Sequence, residues 1–303
     1  MRPDRDIPLL APASRRAVLR AGILALVMRP RLASAAAAFS RPEAVAIAGY
    51  GGDAMEPFLS RDGQYLFFND RNDPGRKTSL HWAEAGVDNA FRYRGEIEGV
   101  NTSGLQGVPS MDRDGNFYFV TTRSYDQTLS TIYRGRFGAG RLEGIELVEG
   151  LSPKRPGIVN FDAEISADGQ FLYGVDGDLS GGPAPKSARF FVARRDGARF
   201  QRLPDSDRLL ASVNGDRLQY AACISADGLE FFYTRVGGFL VWRGPQIMRA
   251  TRGSMDEPFG EPHAVAGIDG FVEGPALSDD GRNLYFHKLI DKTYRIYRVR
   301  RSP

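Results

Sequence analysis

Three acidic residues, Glu56, Asp162 and Glu273, lie at equivalent positions of an internal pattern, six or seven residues before an Asp-Gly pair. Two neighbouring carboxyl groups can divide the work of proton transfer, because one with a raised pKa keeps its proton while the other stays ionised. Such a pair can hydrolyse a glycosidic bond, one carboxyl protonating the leaving oxygen and the other activating water. Other polar residues at matching positions are candidate binding groups: Gln106, Arg123, Gln219, Arg235 and His287.

A pattern that occurs five times organises the chain. Each copy ends in Asp-Gly and is followed by a short run of aromatic and aliphatic residues. This arrangement predicts a tight hairpin, because the turn needs a positive φ angle that glycine adopts without steric cost. The glycines recur at intervals of 52 to 59 residues, which leaves room for four short strands per copy. The copies occupy residues 56–63, 108–115, 162–169, 221–228 and 274–281.

These repeats predict an all-β fold, a five-bladed β-propeller, over residues 39–303. In the fifth blade the third predicted strand runs from Tyr294 to Arg300, and the few residues after it are too short for a fourth, outer strand. Residues 39–46, however, match residues 259–266 near the end of the fourth copy at Phe, Pro, Ala, Val and Ala. We therefore expect the N-terminal strand to complete the last blade, which would close the ring and protect its sheet edges.

The pattern Pro-x-x-Ser-x-Asp-Gly-x-x-Leu-Tyr-Phe resembles the TolB-type, WD-like propeller repeat of bacterial periplasmic proteins. The resemblance covers nearly all of residues 39–303 and implies the fold. It implies little about activity, because this repeat occurs in binding scaffolds, in propellers joined to peptidases and in proteins of other roles. We expect a non-catalytic propeller that binds an envelope protein, or a small glycan or peptide ligand, on its channel face.

In a propeller, the loops that lead into the inner strands and out of the second strands surround one mouth of the central channel. Alignment of the five copies predicts eight ligand-binding residues at this face: Glu56, Gln106, Arg123, Asp162, Gln219, Arg235, Glu273 and His287. Trp242 is a ninth candidate, in a glycine-rich loop between residues 236 and 245. Its indole could stack on a sugar or anchor a partner, or fold back onto its own blade.

Gln106 and Gln219 share a second pattern, Val-Asn-x-x-x-Leu-Gln, at residues 100–106 and 213–219. The amides of this pattern could bind sugar hydroxyls or peptide groups. They could equally hydrogen-bond to backbone groups between neighbouring blades, since buried backbone needs partners. The sequence leaves both interpretations open.

The alternative to a binding protein is a glycoside hydrolase. Glu273-Gly274-Pro275, followed by Leu284-Tyr285-Phe286, resembles the catalytic-acid strand of family 43 arabinanases and xylosidases, which are also five-bladed propellers. The resemblance would make Glu273 the acid, Glu56 the base and Asp162 the residue that tunes them. Two departures weigh against it. The family has Asp at the base position, and its acid belongs one blade earlier, where this chain has Ala221 and Ala222.

Residues 1–38 are expected to form a cleaved export signal. Residues 14–20, Ser-Arg-Arg-Ala-Val-Leu-Arg, resemble the twin-arginine signal and precede a short apolar run, and small residues at 33–38 offer cleavage sites. The run is too short to span a bilayer. We expect a mature chain that begins between Ala36 and Phe39 and lies in the periplasm or is secreted.

Charge and composition restrict the remaining possibilities. The net charge is +3, but the first 35 residues carry seven Arg and two Asp, so the rest of the chain has a charge of −2. This balance does not favour binding to nucleic acid or to an anionic membrane. The three histidines are isolated, and for residues 176–180 a polar turn is favoured over a calcium site. We expect a monomer without a cofactor or a bound metal.

Overall fold

The computed structural model describes residues 39–73, 75, 77–182, 184–237 and 244–302. The predicted export signal and Trp242 therefore lie outside the described residues. The predicted hairpins are confirmed, because the glycine of the Asp-Gly pair in each of the five copies has a φ between 70° and 80°. In four of the turns a serine hydroxyl donates a hydrogen bond of 2.6 Å to the turn aspartate: Ser60, Ser166, Ser225 and Ser278.

The regular secondary structure of the described chain is almost entirely β-strand, as predicted. Two short strands come first, β1 (Glu43–Ala44) and β2 (Ala46–Ala48). The first antiparallel unit follows: β3 (Met55–Leu59), β4 (Tyr65–Asn69), β5 (Leu80–Ala85) and β6 (Ala90–Glu96). The second unit comprises β7 (Gln106–Met111), β8 (Asn116–Thr121), a helical turn α1 (Tyr125–Thr128), β9 (Ile132–Gly138) and β10 (Arg141–Leu147).

Three more units complete the chain. The third contains β11 (Ile158–Ile165), β12 (Phe171–Asp178), β13 (Ser187–Asp196) and β14 (Arg199–Arg202), followed by a helical turn α2 (Ser206–Leu209). The fourth contains β15 (Leu218–Ile224), β16 (Glu230–Val236), β17 (Gln246–Thr251) and β18 (His263–Ala264). The fifth contains β19 (Val272–Leu277), β20 (Asn283–Ile290) and β21 (Thr293–Arg300).

The N-terminal strands connect the first and the last units. Strand β1 pairs antiparallel with β21, and β2 pairs parallel with β6, the outer strand of the first unit. The carboxylate of Glu43 accepts a hydrogen bond of 2.9 Å from Arg298, and the ring of Phe39 packs edge-on against Phe232. The N-terminal segment therefore supplies strand partners to both sheets.

Apolar side chains fill the space between successive sheets. Most of the aromatic residues after the repeated Asp-Gly pairs are buried, and Phe67, Phe117 and Phe137 pack with ring centroids 4.8 to 6.1 Å apart. The first strands of the units contact one another in cyclic order: β3 with β7, β7 with β11, β11 with β15, β15 with β19, and β19 with β3. The five first strands thus surround a common axis.

A bulge interrupts each of these inner strands at the same point. The pairing of every inner strand with the strand after it shifts register, at residues 56–57, 108–109, 161–162, 221–222 and 274–275. Glu56, Val108 and Ala221 adopt positive φ angles there, as Gly274 does. Bulges re-aim side chains, and the acidic residues Glu56, Asp162 and Glu273 lie at or beside them.

Within the described residues, none of the helices has the length and apolar character needed to cross a membrane.

Candidate functional site

The three predicted carboxylates come from the inner strands of different units. Glu56 lies on β3, Asp162 on β11 and Glu273 on β19. The charges of Asp162 and Glu273 both raise the pKa of Glu56, and those of all three raise the pKa of the Tyr220 hydroxyl. Hydrogen bonds connect the three positions: His287 contacts both the Glu56 N–H and Glu273. Tyr220 donates to Glu273, and the N–H of the next residue, Ala221, donates to Asp162. The structure thus brings the three acidic residues together around the central axis.

Two protein groups engage the carboxylate of Glu273. The hydroxyl of Tyr220 donates to Oε1, and Nε2 of His287 lies 3.3 Å from Oε2. The Nδ1 of the same imidazole accepts the backbone N–H of Glu56 at 3.1 Å, so the ring proton belongs on Nε2 and points to Glu273. Burial opposes ionisation of Glu273, but the hydrogen bonds from His287 and Tyr220 hold its pKa below the ordinary value.

Glu56 has the opposite electrostatic character. Its Oε1 accepts a hydrogen bond of 3.2 Å from Asn72, whereas Oε2 is shielded from solvent and has no hydrogen-bond partner in the described structure. Burial, followed by the charge of Asp162, raises the pKa of Glu56 to about 8. Glu56 is therefore mostly protonated at neutral pH, and its carboxyl can donate a hydrogen bond.

Asp162 is 4% exposed and accepts the backbone N–H of Ala221 from the neighbouring unit. Burial raises its pKa to about 7, although the Ala221 hydrogen bond favours the ionised form. Glu164 lies two residues further along β11 and pairs with Arg61 at 3.3 Å and with the Ser110 hydroxyl at 2.7 Å. Asp162 and Glu164 thus bind groups of three other units, the first, the second and the fourth.

The inner strands leave little free space between them. A cavity of about 30 Å³ is lined by residues of all five units, among them Glu56, Val108, Glu164, Ala222 and Gly274. This volume has room for about two water molecules, far below that of a sugar ring. On the hairpin side, Arg61 donates to Ile165 and to Met111, and Arg113 pairs with Asp279 of the fifth unit at 2.8 Å.

Gln106 and Gln219 have internal partners and no exposed surface. The Gln106 amide bonds to the backbone and hydroxyl of Thr102 and to Thr121, and the Gln219 amide donates to the carbonyl of Ala188. Of the two roles that the sequence left open, the structural one fits this burial. We therefore leave both glutamines out of the proposed site.

The asparagines of the same pattern connect adjacent units. Asn101 accepts the N–H of Leu80 at 2.8 Å and donates to its carbonyl at 3.0 Å. Asn214 makes the same two bonds, at 2.8 and 3.0 Å, with Phe190. Each side chain satisfies one residue on the third strand of the preceding unit. The asparagine of the Val-Asn-x-x-x-Leu-Gln pattern therefore links adjacent units through hydrogen bonds.

The two predicted arginines are also held by their own units. Arg123 donates to the carbonyl of Val100 at 2.5 Å and lies over the ring of Tyr133, and burial lowers its pKa. Arg235 lies 3.5 Å from the carboxylate of Asp216 and 3.4 Å from the amide oxygen of Gln246. Neither arginine contacts the three carboxylates in the described structure, whereas His287 contacts Glu273.

Sequence reasoning missed Tyr220 and Asn72, which bond to Glu273 and Glu56. A signal existed for Tyr220, because it follows Gln219 at the end of the shared pattern. Asn72 had none, since it lies in an irregular loop beyond β4. Among the residues that the structure describes, no three His, Cys, Asp or Glu side chains are grouped to hold a metal ion.

No protein-family model and no curated protein matches the chain. Solved structures are similar in fold. A thermostable family-43 glycoside hydrolase matches with a TM-score of 0.54 at 12% identity, over 86% of this chain and 92% of its own. A family 117 glycoside hydrolase from the marine bacterium Zobellia galactanivorans matches with a TM-score of 0.54 at 10% identity, over 86% and 90%.

TolB from Acinetobacter baumannii matches with a TM-score of 0.49 at 12% identity, over 82% of this chain and 54% of TolB. The chain thus spans about half the length of that protein. Together with the strand pairing, the similarities to the two hydrolases identify an all-β propeller. Identities this low describe the fold alone, so activity has to be argued from the site.

Proposed function

We propose that residues 39–303 form a five-bladed propeller closed by its N-terminal strands. The five antiparallel units, the cyclic contacts of their inner strands and the pairing of β1 with β21 support this proposal. Export after cleavage of residues 1–38 fits the same arrangement. Phe39 already bridges to Arg301 and packs on Phe232, so a mature chain has to retain it for the strand to close the ring.

We propose that the channel face of this exported protein binds a ligand or a protein partner without catalysis. The observation that carries the proposal is the engagement of the carboxylates by protein donors. Glu273 is held by Tyr220 and His287, and Asp162 by the N–H of Ala221. Groups fixed in this way are preorganised to accept or donate hydrogen bonds. Because the axial cavity is too small to hold a ligand, a ligand would bind at the mouth of the channel.

The chemistry of the mouth favours a neutral polar ligand. An ionised Glu273 accepts hydrogen bonds, while a protonated Glu56 donates them, so hydroxyl groups and peptide amides are complementary to the pair. A glycan, a short peptide or a loop of an envelope protein meets this description. A monomer presents the face freely to any of them.

The test is an array of glycans and peptides probed with the purified protein. We expect retention of a subset, and Glu273→Gln should weaken that retention by about tenfold, because the strongest acceptor is lost. Glu143→Gln is the matched control, since Glu143 lies exposed on the outer strand β10. Equal retention by wild type and Glu273→Gln would place binding elsewhere on the protein.

One observation favours a second function, glycoside hydrolysis. The pKa of Glu56 is raised to about 8 while that of Glu273 is lowered, and pKa values pushed apart distinguish an acid from a base. This order reverses the roles expected from sequence: Glu56 would be the acid, Glu273 the base, and Asp162 the tuning residue. The test is release of sugar, which should decline as Glu56 ionises above about pH 8 and be absent in Glu56→Gln.

A further inference from the structure

A cleft of about 360 Å³ lies beside the third unit, and none of Glu56, Asp162 and Glu273 lines it. Its walls come from the last residues of β12, the first half of β13, the loop after β14 and residues 153–155. Its volume falls within the range of small-molecule sites, and the axial cavity is much smaller. The cleft is therefore a candidate for a second site on this propeller.

One wall of the cleft is rigid. Arg202 makes two hydrogen bonds, of 2.6 and 2.7 Å, to the carboxylate of Asp176, and its guanidinium lies 3.6 Å from the centre of the Phe191 ring. Asn160 also donates to Asp176, at 2.7 Å. With both oxygens occupied, Asp176 forms a neutral pair with Arg202, and this pairing supports the polar turn over a calcium site at residues 176–180.

The remaining charges of the cleft are of both signs. Arg155 and Arg189 line it, and neither has an ion-pair partner among the described residues. Arg189 lies opposite Asp176 across the strand pair, but that carboxylate is already used by Arg202. Asp207, in the first turn of α2, lines the cleft as well and forms no ion pair within the described ranges. Asp178 also lines the cleft, and hydrogen bonds from Ser180, with smaller contributions from the charges of Lys186 and Arg155, lower the pKa of its carboxyl. Two cations and two anions thus line one cleft beside the Arg202–Asp176 pair, and none of the four forms an ion pair among the described residues.

We propose that this cleft binds a zwitterionic ligand, a free amino acid or a short peptide. Its carboxylate would bind Arg155 and Arg189, and its ammonium group would bind Asp207. Leu203 and Pro204 supply apolar surface for the ligand's side chain. A guanidinium pairs with a carboxylate through two parallel hydrogen bonds, which makes arginine suited to this role. The site is separate from the one proposed for the channel face.

The experiment is calorimetry of the purified protein with three probes: the dipeptide Leu-Leu, its N-acetyl derivative and its C-terminal amide. We expect saturable binding of Leu-Leu with a Kd of about 1 mM or tighter. Each blocked derivative lacks one charge, so each should bind about tenfold more weakly. Equal binding of the N-acetyl derivative would overturn the zwitterion assignment, and absence of Leu-Leu binding would overturn the site.

Variants locate the binding. Arg189→Ala and Asp207→Ala should each weaken Leu-Leu binding by about tenfold, and both replace exposed residues, so the fold should persist. Arg282→Ala is the matched control, because this arginine is 82% exposed in side chain on a hairpin of the fifth unit. Unchanged binding by both variants would contradict the proposal. Glu273→Gln should leave Leu-Leu binding intact, which separates failure here from failure of the channel-face proposal.

Discussion

His287 and Glu273 face each other across the β19–β20 pair, with Nε2 of the imidazole 3.3 Å from Oε2 of the carboxylate. The other ring nitrogen accepts the backbone N–H of Glu56, which belongs to the first unit. One buried ring therefore connects the first and last units of the propeller. It also determines which carboxyl is ionised, because its N–H points to Glu273.

We predict that His287→Leu lowers the free energy of unfolding by about 1 to 3 kcal/mol, since Glu273 and the Glu56 N–H both lose a partner. The pKa of Glu273 should rise, because the donor that lowers it is gone. Urea unfolding and carboxyl NMR measure the two effects. His287→Gln retains an amide donor and should recover part of the stability. Equal losses in the Leu and Gln variants would show that hydrogen bonding to His287 contributes little.

The buried carboxyls predict a stability that declines as pH rises. The pKa of Glu56 is raised from 4.5 to about 8, and that of Asp162 from 3.8 to about 7. Between its unfolded and its folded pKa, each carboxyl keeps a proton in the folded chain that the unfolded chain has released. The stability that this difference provides is complete below the unfolded pKa and is lost as pH rises through the folded pKa. The slope approaches roughly 1.4 kcal/mol per pH unit for each proton.

Urea unfolding between about pH 5 and about pH 8 measures this slope. Glu56→Gln should flatten it, whereas Glu143→Gln, an exposed control, should not. Glu273 does not mask the effect, because its lowered pKa confines its contribution to more acidic solutions, where stability is lost as pH falls. A wild-type stability that rises steadily from pH 5 to 8 would contradict the assigned protonation of Glu56.

The hydrogen bonds of Asn101 and Asn214 between units predict that replacing these two residues lowers stability by different amounts. Asn214→Ala should lower the free energy of unfolding by about 2 kcal/mol, because the N–H and carbonyl of Phe190 lose both partners in the interior. Asn101→Ala should have a smaller effect, since Asn101 is partly exposed. Gln127→Ala, on the surface of α1, serves as control. If both asparagine variants lose no more unfolding free energy than the control, the pattern has no structural role.

The proposed closure of the ring predicts that the N-terminal strands are needed for stability. A chain that begins at Gly49 lacks β1 and β2 and leaves the edges of β21 and β6 without partners. We expect a lower Tm and concentration-dependent association, because unpaired strand edges recruit other chains. A chain that begins at Phe39 should match the full-length protein. Similar melting of the two truncated chains would contradict the closure.

The fold could be inferred from sequence because local turn chemistry repeats. Asp-Gly fixes a hairpin wherever it falls between apolar runs, and the positive φ of Gly63 and its counterparts follows from that chemistry. The bulges could not be inferred. Glu56, Val108 and Ala221 have positive φ angles that none of these residue types favours. They occur where the pairing of inner strands shifts register, a feature of tertiary structure that the local sequence does not indicate.

The site was predicted less well, for a physical reason. Aligned repeats indicate which positions lie near the axis, and Glu56, Asp162 and Glu273 do meet there. Alignment does not show which polar groups are used internally, so Gln106 and Gln219 could not be separated from residues free to bind a ligand. The shared pattern indicated the position of Tyr220 but not its partner, because Tyr220 bonds to Glu273 of an adjacent unit and alignment of the repeats does not show contacts between units.

Mass spectrometry of retained ligands tests the central claim of non-catalytic binding most directly. The purified protein is incubated with each glycan or peptide that it retains, and the bound and released species are identified after prolonged incubation. We predict ligands of unchanged mass, with retention weakened in Glu273→Gln and unaffected in Glu143→Gln. Shortened glycans that appear with wild type and are absent with Glu56→Gln would contradict this claim and assign the channel face to hydrolysis.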